Sequence, residues 1–191
     1  MRNDLIMKDM KDVASVFKKH GVKFYFSYGA LLGMVRDKTF IPWDDDIDLD
    51  VIDTIDYKTR KSIGHTLLDL GFINQGVVFR VFDRMEHMEP GYNGDDKSGV
   101  IVCERNFHFS IFFHKEEGDQ YNCYPKLAAP RLIGIPSRFF DKPEKIKVFG
   151  EVYDTPGPQK EYLAFVYGKD WKTPIRDLHA PNCITGKEKR E

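Results

Sequence analysis

The sequence predicts a mixed α/β (α+β) fold, a mixed β-sheet flanked by helices with a C-terminal hairpin and helix. Three observations carry that prediction. An amphipathic run with helical spacing opens the chain at residues 4–20. Acid and aliphatic residues then alternate with period two in DIDLDVI, residues 46–52. Further helix-like and strand-like runs interleave to the end, and such mixtures with local hairpins build mixed sheets. At 191 residues the chain is long enough for one sizeable core. Residues 1–182 are expected to form a single domain, followed by a polar tail at 183–191.

Each element has its own reason. In 4–20, Ile6, Met10, Val13 and Phe17 recur at helical spacing with lysines between them, and Gly21 ends the run. VKFYFS (22–27) is rich in β-formers and reads as a strand. YGALLGMVR (28–36) opens on a glycine turn and reads as a short helix. Pro42 holds Ile41 extended in the loop that follows. In 46–52, Asp46, Asp48 and Asp50 share one strand face, and Ile47, Leu49 and Val51 share the other. A helix over about 55–70 stops at Gly71. VVFRVFDR (77–84) and FHFSIFFH (107–114) read as strands, with loops at 88–99 and 115–122. IKVFGEVYDTP (146–156) reads as a hairpin, and 158–168 as a helix with Pro158 near its start and Gly168 at its end.

Composition excludes some functions. Net charge is −1, with 31% charged residues close to balance, so no global field favours nucleic acid or an anionic membrane. No nucleic-acid partner and no membrane segment are expected. The N-terminus is charged throughout and lacks a signal-peptide core. Cys103, Cys123 and Cys183 are an odd, widely spaced set without a CxxC pair. That spacing argues for reduced thiols in a cytoplasmic setting and against zinc.

The chemistry concentrates in IPWDDDIDLD, residues 41–50, with five aspartates between Asp44 and Asp50. A solvated acidic loop is the plain reading, but the alternation with aliphatic residues places these acids on a strand. An EF-hand loop fails, because its glycine and bidentate glutamate positions fall on Leu49 and Ile55. A metal site for phosphoryl transfer fits better. Carboxylates at i and i+2 on a strand point the same way, roughly 6–7 Å apart at the backbone. From there Asp46 and Asp48 can reach Mg2+ or Mn2+ that neutralises charge on a transferring phosphate. Gly29 at a helix N-terminus would let backbone amides approach phosphate. Ser27 precedes it in the same turn, and Arg36 offers a bidentate fork.

The stretch SYGALLGMVRDKTFIPWDDDIDLDV (27–51) resembles the signature of the LicD/fukutin-related proteins, a branch of the nucleotidyltransferase-fold superfamily. That signature is roughly G-T-L-L-G-x-x-R, a short loop, then F-I-P-W-D-D-D-I-D. A second, weaker likeness lies in PGPQKEYLAFVYGKDWKTP (156–174). The resemblance implies a nucleotidyltransferase-like sheet and metal-dependent transfer of phosphocholine-like or polyol-phosphate groups. The donor would be nucleotide-linked, with CDP expected, and the acceptor a sugar, polyol or glycan. It implies Asp46 and Asp48 as metal ligands, Asp44 as support, Gly29 and Arg36 toward donor phosphate, and Trp43 as a brace. Asp45 and Asp50 are secondary, and Asp50 is equally read as a solvated strand end.

One departure stands out. Where the family pattern places a third carboxylate before a Leu/Ile-Phe pair, this chain has Ser110. The general base then falls to Asp83, Glu104 or His108, or is absent. Two rival functions stay open here: strict nucleotidyl transfer from an NTP to a small molecule, protein or RNA, and a catalytically inactive relative that binds nucleotide or glycan. His108 and His114 share a strand face, where chance spacing competes with a ligand pair. The aromatic runs at 107–113 and 138–140 read as core.

Overall fold

The computed structural model describes residues 2–52, 55–72, 99–123 and 134–176. Helix α1 (Arg2–Lys19) leads to the two-residue strand β1 (Tyr25–Phe26), helix α2 (Tyr28–Arg36), strand β2 (Asp46–Val51) and helix α3 (Tyr57–Asp69). Strands β3 (Gly99–Glu104), β4 (His108–Glu117), β5 (Gln120–Cys123) and β6 (Ile135–Pro136) follow. A single-turn helix α4 (Arg138–Asp141), the hairpin β7 (Glu144–Val148) and β8 (Glu151–Thr155), and helix α5 (Gln159–Tyr167) complete the described chain.

The main sheet is mixed, with β2 running between β1 and β4. It pairs antiparallel with β1 and parallel with β4. β3 pairs antiparallel with the first six residues of β4, and β5 with its last four. The order is β1-β2-β4-β5-β6, with β3 joined to β4 outside that path. The predicted fold class therefore stands.

Burial follows the period-two pattern. Ile47, Leu49 and Val51 on β2, and Phe109, Ile111 and Phe113 on β4, are fully buried on one face. The expected stripe of α1, Ile6, Met10, Val13 and Phe17, packs into the same cluster. A fully buried side chain of this size contributes about 1.5–3 kcal/mol, so this face anchors β2. A second cluster joins α2 to α4 and α5 through Leu31, Leu32, Phe139, Tyr162 and Leu163. The β7–β8 hairpin leans on β1, where the Tyr153 ring stacks 5.7 Å from that of Phe26.

Several sequence expectations change. β3 has no counterpart in the sequence reading. The loop expected at 115–122 is a hairpin in which β4 continues to Glu117 and turns at Gly118, φ +67°. The strand expected at 77–84, most of the loop 88–99 and the tail 183–191 lie outside the described residues. Among the described residues, no helix is long and apolar enough to cross a membrane.

Candidate active site

The site lies where α2, the loop 37–45 and the start of β2 meet. Tyr28, the first residue of α2, takes φ +45°, a left-handed conformation that costs a bulky residue on the order of 1 kcal/mol. Its ring is held edge-on to Phe112 and Tyr162, with centroids 6.0 and 6.2 Å away. This sharp turn from β1 into α2 brings Gly29 against the aspartates. A Cβ on Gly29 would stand 2.5 Å from Asp44 Oδ2 and 4.0 Å from the Tyr167 hydroxyl. Gly29 thus faces the carboxylate of Asp44, an anion well placed at a helix N-terminus.

Oxygen atoms of Asp44, Asp45 and Asp46 lie within 4.8 Å of one another. Asp48 lies outside this close group, next along the strand face from Asp46. Burial is the main cause lifting the Asp48 carboxyl well above the usual carboxylate range, followed by the charges of Asp46, Asp50 and Asp44. The side chain keeps some solvent contact, yet the neighbouring carboxylates push the same way, so the upward direction holds. An Asp48 carboxyl raised by burial and by its neighbours' charges is one lacking a counter-charge. Oxygen-only donors of this kind suit a hard divalent cation such as Mg2+ or Mn2+.

Across the parallel ladder, Asp46 pairs with His108, Asp48 with Ser110 and Asp50 with Phe112. Ser110 is nearly buried opposite Asp48. Asp50 is fully buried and is no solvated strand end. His114 Nε2 lies 2.8 Å from Asp50 Oδ1, while Asp50 Oδ2, His114 Nδ1 and the Tyr162 hydroxyl have no hydrogen-bond partner among the described residues. His114 therefore belongs to a buried pair at the inner end of the face, and His108 to its outer rim.

That rim opens into a cavity of about 370 Å³ lined by Asp45, Asp46, Glu104, Asn106, Phe107 and His108. His108 Nδ1 is 3.9 Å from Glu104 Oε2. Asp9, fully buried on α1, fixes the turn beneath it. Its carboxylate accepts from Arg105 Nε and Nη2 at 2.9 and 2.6 Å, from the backbone N–H of Asn106 and Phe107 at 2.8 and 3.2 Å, and from Asn106 Nδ2 at 2.9 Å. A larger cleft of about 820 Å³ lies between α1 and β8 and contains none of these acids.

Other expected site residues sit apart. Arg36 ends α2, seven residues and roughly 10 Å along the axis from Gly29. Its fork is taken by Asp37, at 2.7 to 3.1 Å. Ser27 is buried, and its hydroxyl donates to the Tyr25 carbonyl at 3.3 Å. Asp83, one of the base candidates, lies outside the described residues. The sequence reading missed Tyr167 and Arg176. The Arg176 guanidinium carbon sits 5.9 Å from the centroid of the Trp43 ring. The weak likeness at 156–174 takes in Tyr167 without giving it a place, and Arg176 lies two residues beyond it.

A family model described as LicD/FKTN/FKRP, nucleotidyltransferase domain, matches residues 21–121. Ribitol-5-phosphate transferase FKTN of Homo sapiens is 27% identical over 173 residues, covering 85% of this chain and 32% of that protein. Its Macaca fascicularis counterpart is 26% identical over the same shares. The chain thus spans about a third of the length of these relatives. The uncharacterized protein RP689 of Rickettsia prowazekii (strain Madrid E) is 40% identical over 43 residues, 22% of this chain and 16% of that protein. Among solved structures, the antibiotic-resistance factor ANT(2'')-Ia superposes with a TM-score of 0.46 at 11% identity, covering 81% of this chain and 66% of that one.

Proposed function

The chain belongs to the LicD/FKTN/FKRP nucleotidyltransferase-domain family, and from that premise we propose a Mg2+- or Mn2+-dependent transferase. It moves a phosphate-linked group, of the polyol-phosphate or phosphocholine kind, from a nucleotide-linked donor to a sugar, polyol or glycan hydroxyl. A polyol-phosphate group is favoured by a relative named a ribitol-5-phosphate transferase, and a CDP-linked donor is the expectation from the resemblance at 27–51. The observation that carries the reading is the convergence of Asp44, Asp45 and Asp46 within 4.8 Å, beside a cavity with titratable groups on its wall. A cytoplasmic setting is part of the proposal, supported by the odd cysteine count and the buried free thiol of Cys103.

Asp44, Asp45 and Asp46 would hold the cation, with Asp48 completing the set along β2. When bound, it supplies positive charge to the phosphate oxygens as the transition state forms. The residues of the chain do the rest. The cavity receives the acceptor, with Glu104, Asn106 and His108 as hydrogen-bonding groups. The acceptor oxygen attacks the phosphorus of the transferred group, and the bond from that phosphorus to the oxygen of the leaving nucleoside monophosphate breaks. The hydroxyl proton passes to His108 or Glu104, the two candidates on the cavity wall. Ser110 is a poor base and faces Asp48 instead.

The test is thermal stability in EDTA and in Mn2+ against CDP-ribitol, CDP-choline, UDP-sugars and the four NTPs, beside Asp46→Asn. Mn2+-dependent stabilisation by a CDP-linked donor, absent in the variant, is the expected result. Stabilisation by one NTP alone would replace the reading with strict nucleotidyl transfer, and no response to any metal or nucleotide would leave an inactive relative.

A further inference from the structure

Resting on the transferase reading, we propose that Arg176, seated over Trp43, grips the diphosphate of the donor. A nucleotide-linked donor brings at least two negative charges to a face that already holds Asp44, Asp45, Asp46 and Asp48. One divalent cation leaves that assembly anionic, so a protein cation beside the aspartates is needed. The described arginines narrow the choice. Arg105 is committed to Asp9 and Asp12. Arg60 is buried against the Phe113 ring, Arg138 lies over the Phe139 ring on α4, and Arg2 begins α1. Arg36 is forked onto Asp37 at the far end of α2 and would have to give up that pair.

Arg176 differs in both place and state. Its guanidinium lies 5.9 Å from the Trp43 ring centroid, and Trp43 is the residue directly before Asp44. The loop bearing both is closed by the Asp44 amide donating to the Ile41 carbonyl at 3.1 Å. The same C-terminal segment approaches the site a second time through the Tyr167 hydroxyl, 4.0 Å from where a Cβ on Gly29 would stand. The buried Trp171 fastens the chain between Tyr167 and Arg176. Among the described residues, no carboxylate lies within ion-pair distance of Arg176. An aromatic ring is no full anion, so the guanidinium of Arg176, with its five N–H donors, can still take oxygen acceptors. A diphosphate presents the paired oxygens that a guanidinium binds bidentately.

Calorimetric titration of Mn2+, then of inorganic pyrophosphate, CDP and cytidine onto the Mn2+-loaded protein, tests this in wild type, Arg176→Ala and Arg176→Lys. The expected result is Mn2+ affinity unchanged within threefold and pyrophosphate and CDP weakened tenfold or more in Arg176→Ala. Arg176→Lys should fall between, because charge remains while the fork is lost, and cytidine should not respond. CDP and pyrophosphate affinities within threefold of wild type in Arg176→Ala would overturn the proposal. So would an equal loss of Mn2+ affinity, which would make Arg176 a counter-charge for the aspartates only. If wild type binds neither Mn2+ nor pyrophosphate, the transferase reading falls and the proposal with it.

Discussion

Replacing Asp48 by Asn should stabilise the metal-free protein and remove its response to metal. Asp48 has Asp46 and Asp50 two residues away on the same strand face, roughly 6–7 Å at the backbone. Two unit charges at that distance repel by about 0.6 kcal/mol in water and about 2.5 kcal/mol at an effective dielectric of 20. Two such neighbours, partly relieved by proton uptake, give an expected gain of about 1–3 kcal/mol at pH 7. For a chain of this size that is a rise in Tm of roughly 3–10 °C. The sign with pH follows from the raised carboxyl of Asp48. The folded state holds this proton more tightly than the unfolded one. Stability from that proton is full below the unfolded value of about 3.9 and is lost as pH rises through the folded value. The advantage of Asp48→Asn over wild type should therefore be absent at low pH and grow toward neutrality. Mn2+ at a hundred times its Kd should stabilise wild type by about 2.7 kcal/mol and leave the variant where it was. Thermal unfolding in EDTA and in Mn2+ between pH 4 and 8 measures both effects. A variant less stable than wild type in EDTA at pH 7, or stabilised equally by Mn2+, would refute the reasoning.

Two glycines of α2 separate a site effect from a fold effect. Gly29→Ala places its Cβ against the movable Asp44 carboxylate, so the fold should hold while Mn2+-dependent stabilisation is lost, read by the same thermal assay. Gly33→Ala places its Cβ 2.6 Å from the Thr39 backbone carbonyl, and should cost about 1–3 kcal/mol in urea unfolding without altering the metal response per folded molecule. Asp9→Ala leaves Arg105 and two backbone amides without their buried acceptor. A loss of about 3 kcal/mol in urea is expected, and a loss under 1 kcal/mol would show that Asp12 alone holds the turn below the cavity.

What the sequence revealed depends on how local each cause is. β2 was legible because one of its faces is fully buried, which forces strict alternation on Ile47, Leu49 and Val51. α2 was legible from end to end, since its glycines and small apolar residues pack against a neighbouring loop. β3 was missed because a short apolar run such as GVIVCE carries no period of its own. The hairpin at 115–122 was missed because its charged residues are exposed, as edge strands often require. Within the site, the aspartates announced themselves, but their grouping did not. Asp45 joins Asp44 and Asp46 through the turn before β2, while Asp48 stands next along the strand. The fate of Asp50 turned on His114, 64 residues away, and that of Arg36 on its immediate neighbour Asp37, whose side chain no spacing rule orients.

Ser110 in place of an acid spares the metal-free face one further charge. On the face shared by β2 and β4, the first strand presents Asp46, Asp48 and Asp50. The second presents His108, Ser110 and Phe112 in direct register, with His114 reaching back to Asp50. Every group β4 sets against an aspartate is a base, a hydroxyl or a ring, and none is a carboxylate. An aspartate at 110 would stand directly across from Asp48, whose carboxyl is already raised by burial and by its neighbours' charges. A buried face accepts a further charge only when a partner is supplied with it, and Asp50 illustrates the rule by taking His114. With Ser110 at the centre of the face, the proposed transferase would draw its proton acceptor, among the described residues, from the rim. Glu104 and His108 stand there, on a turn that Asp9 holds from α1.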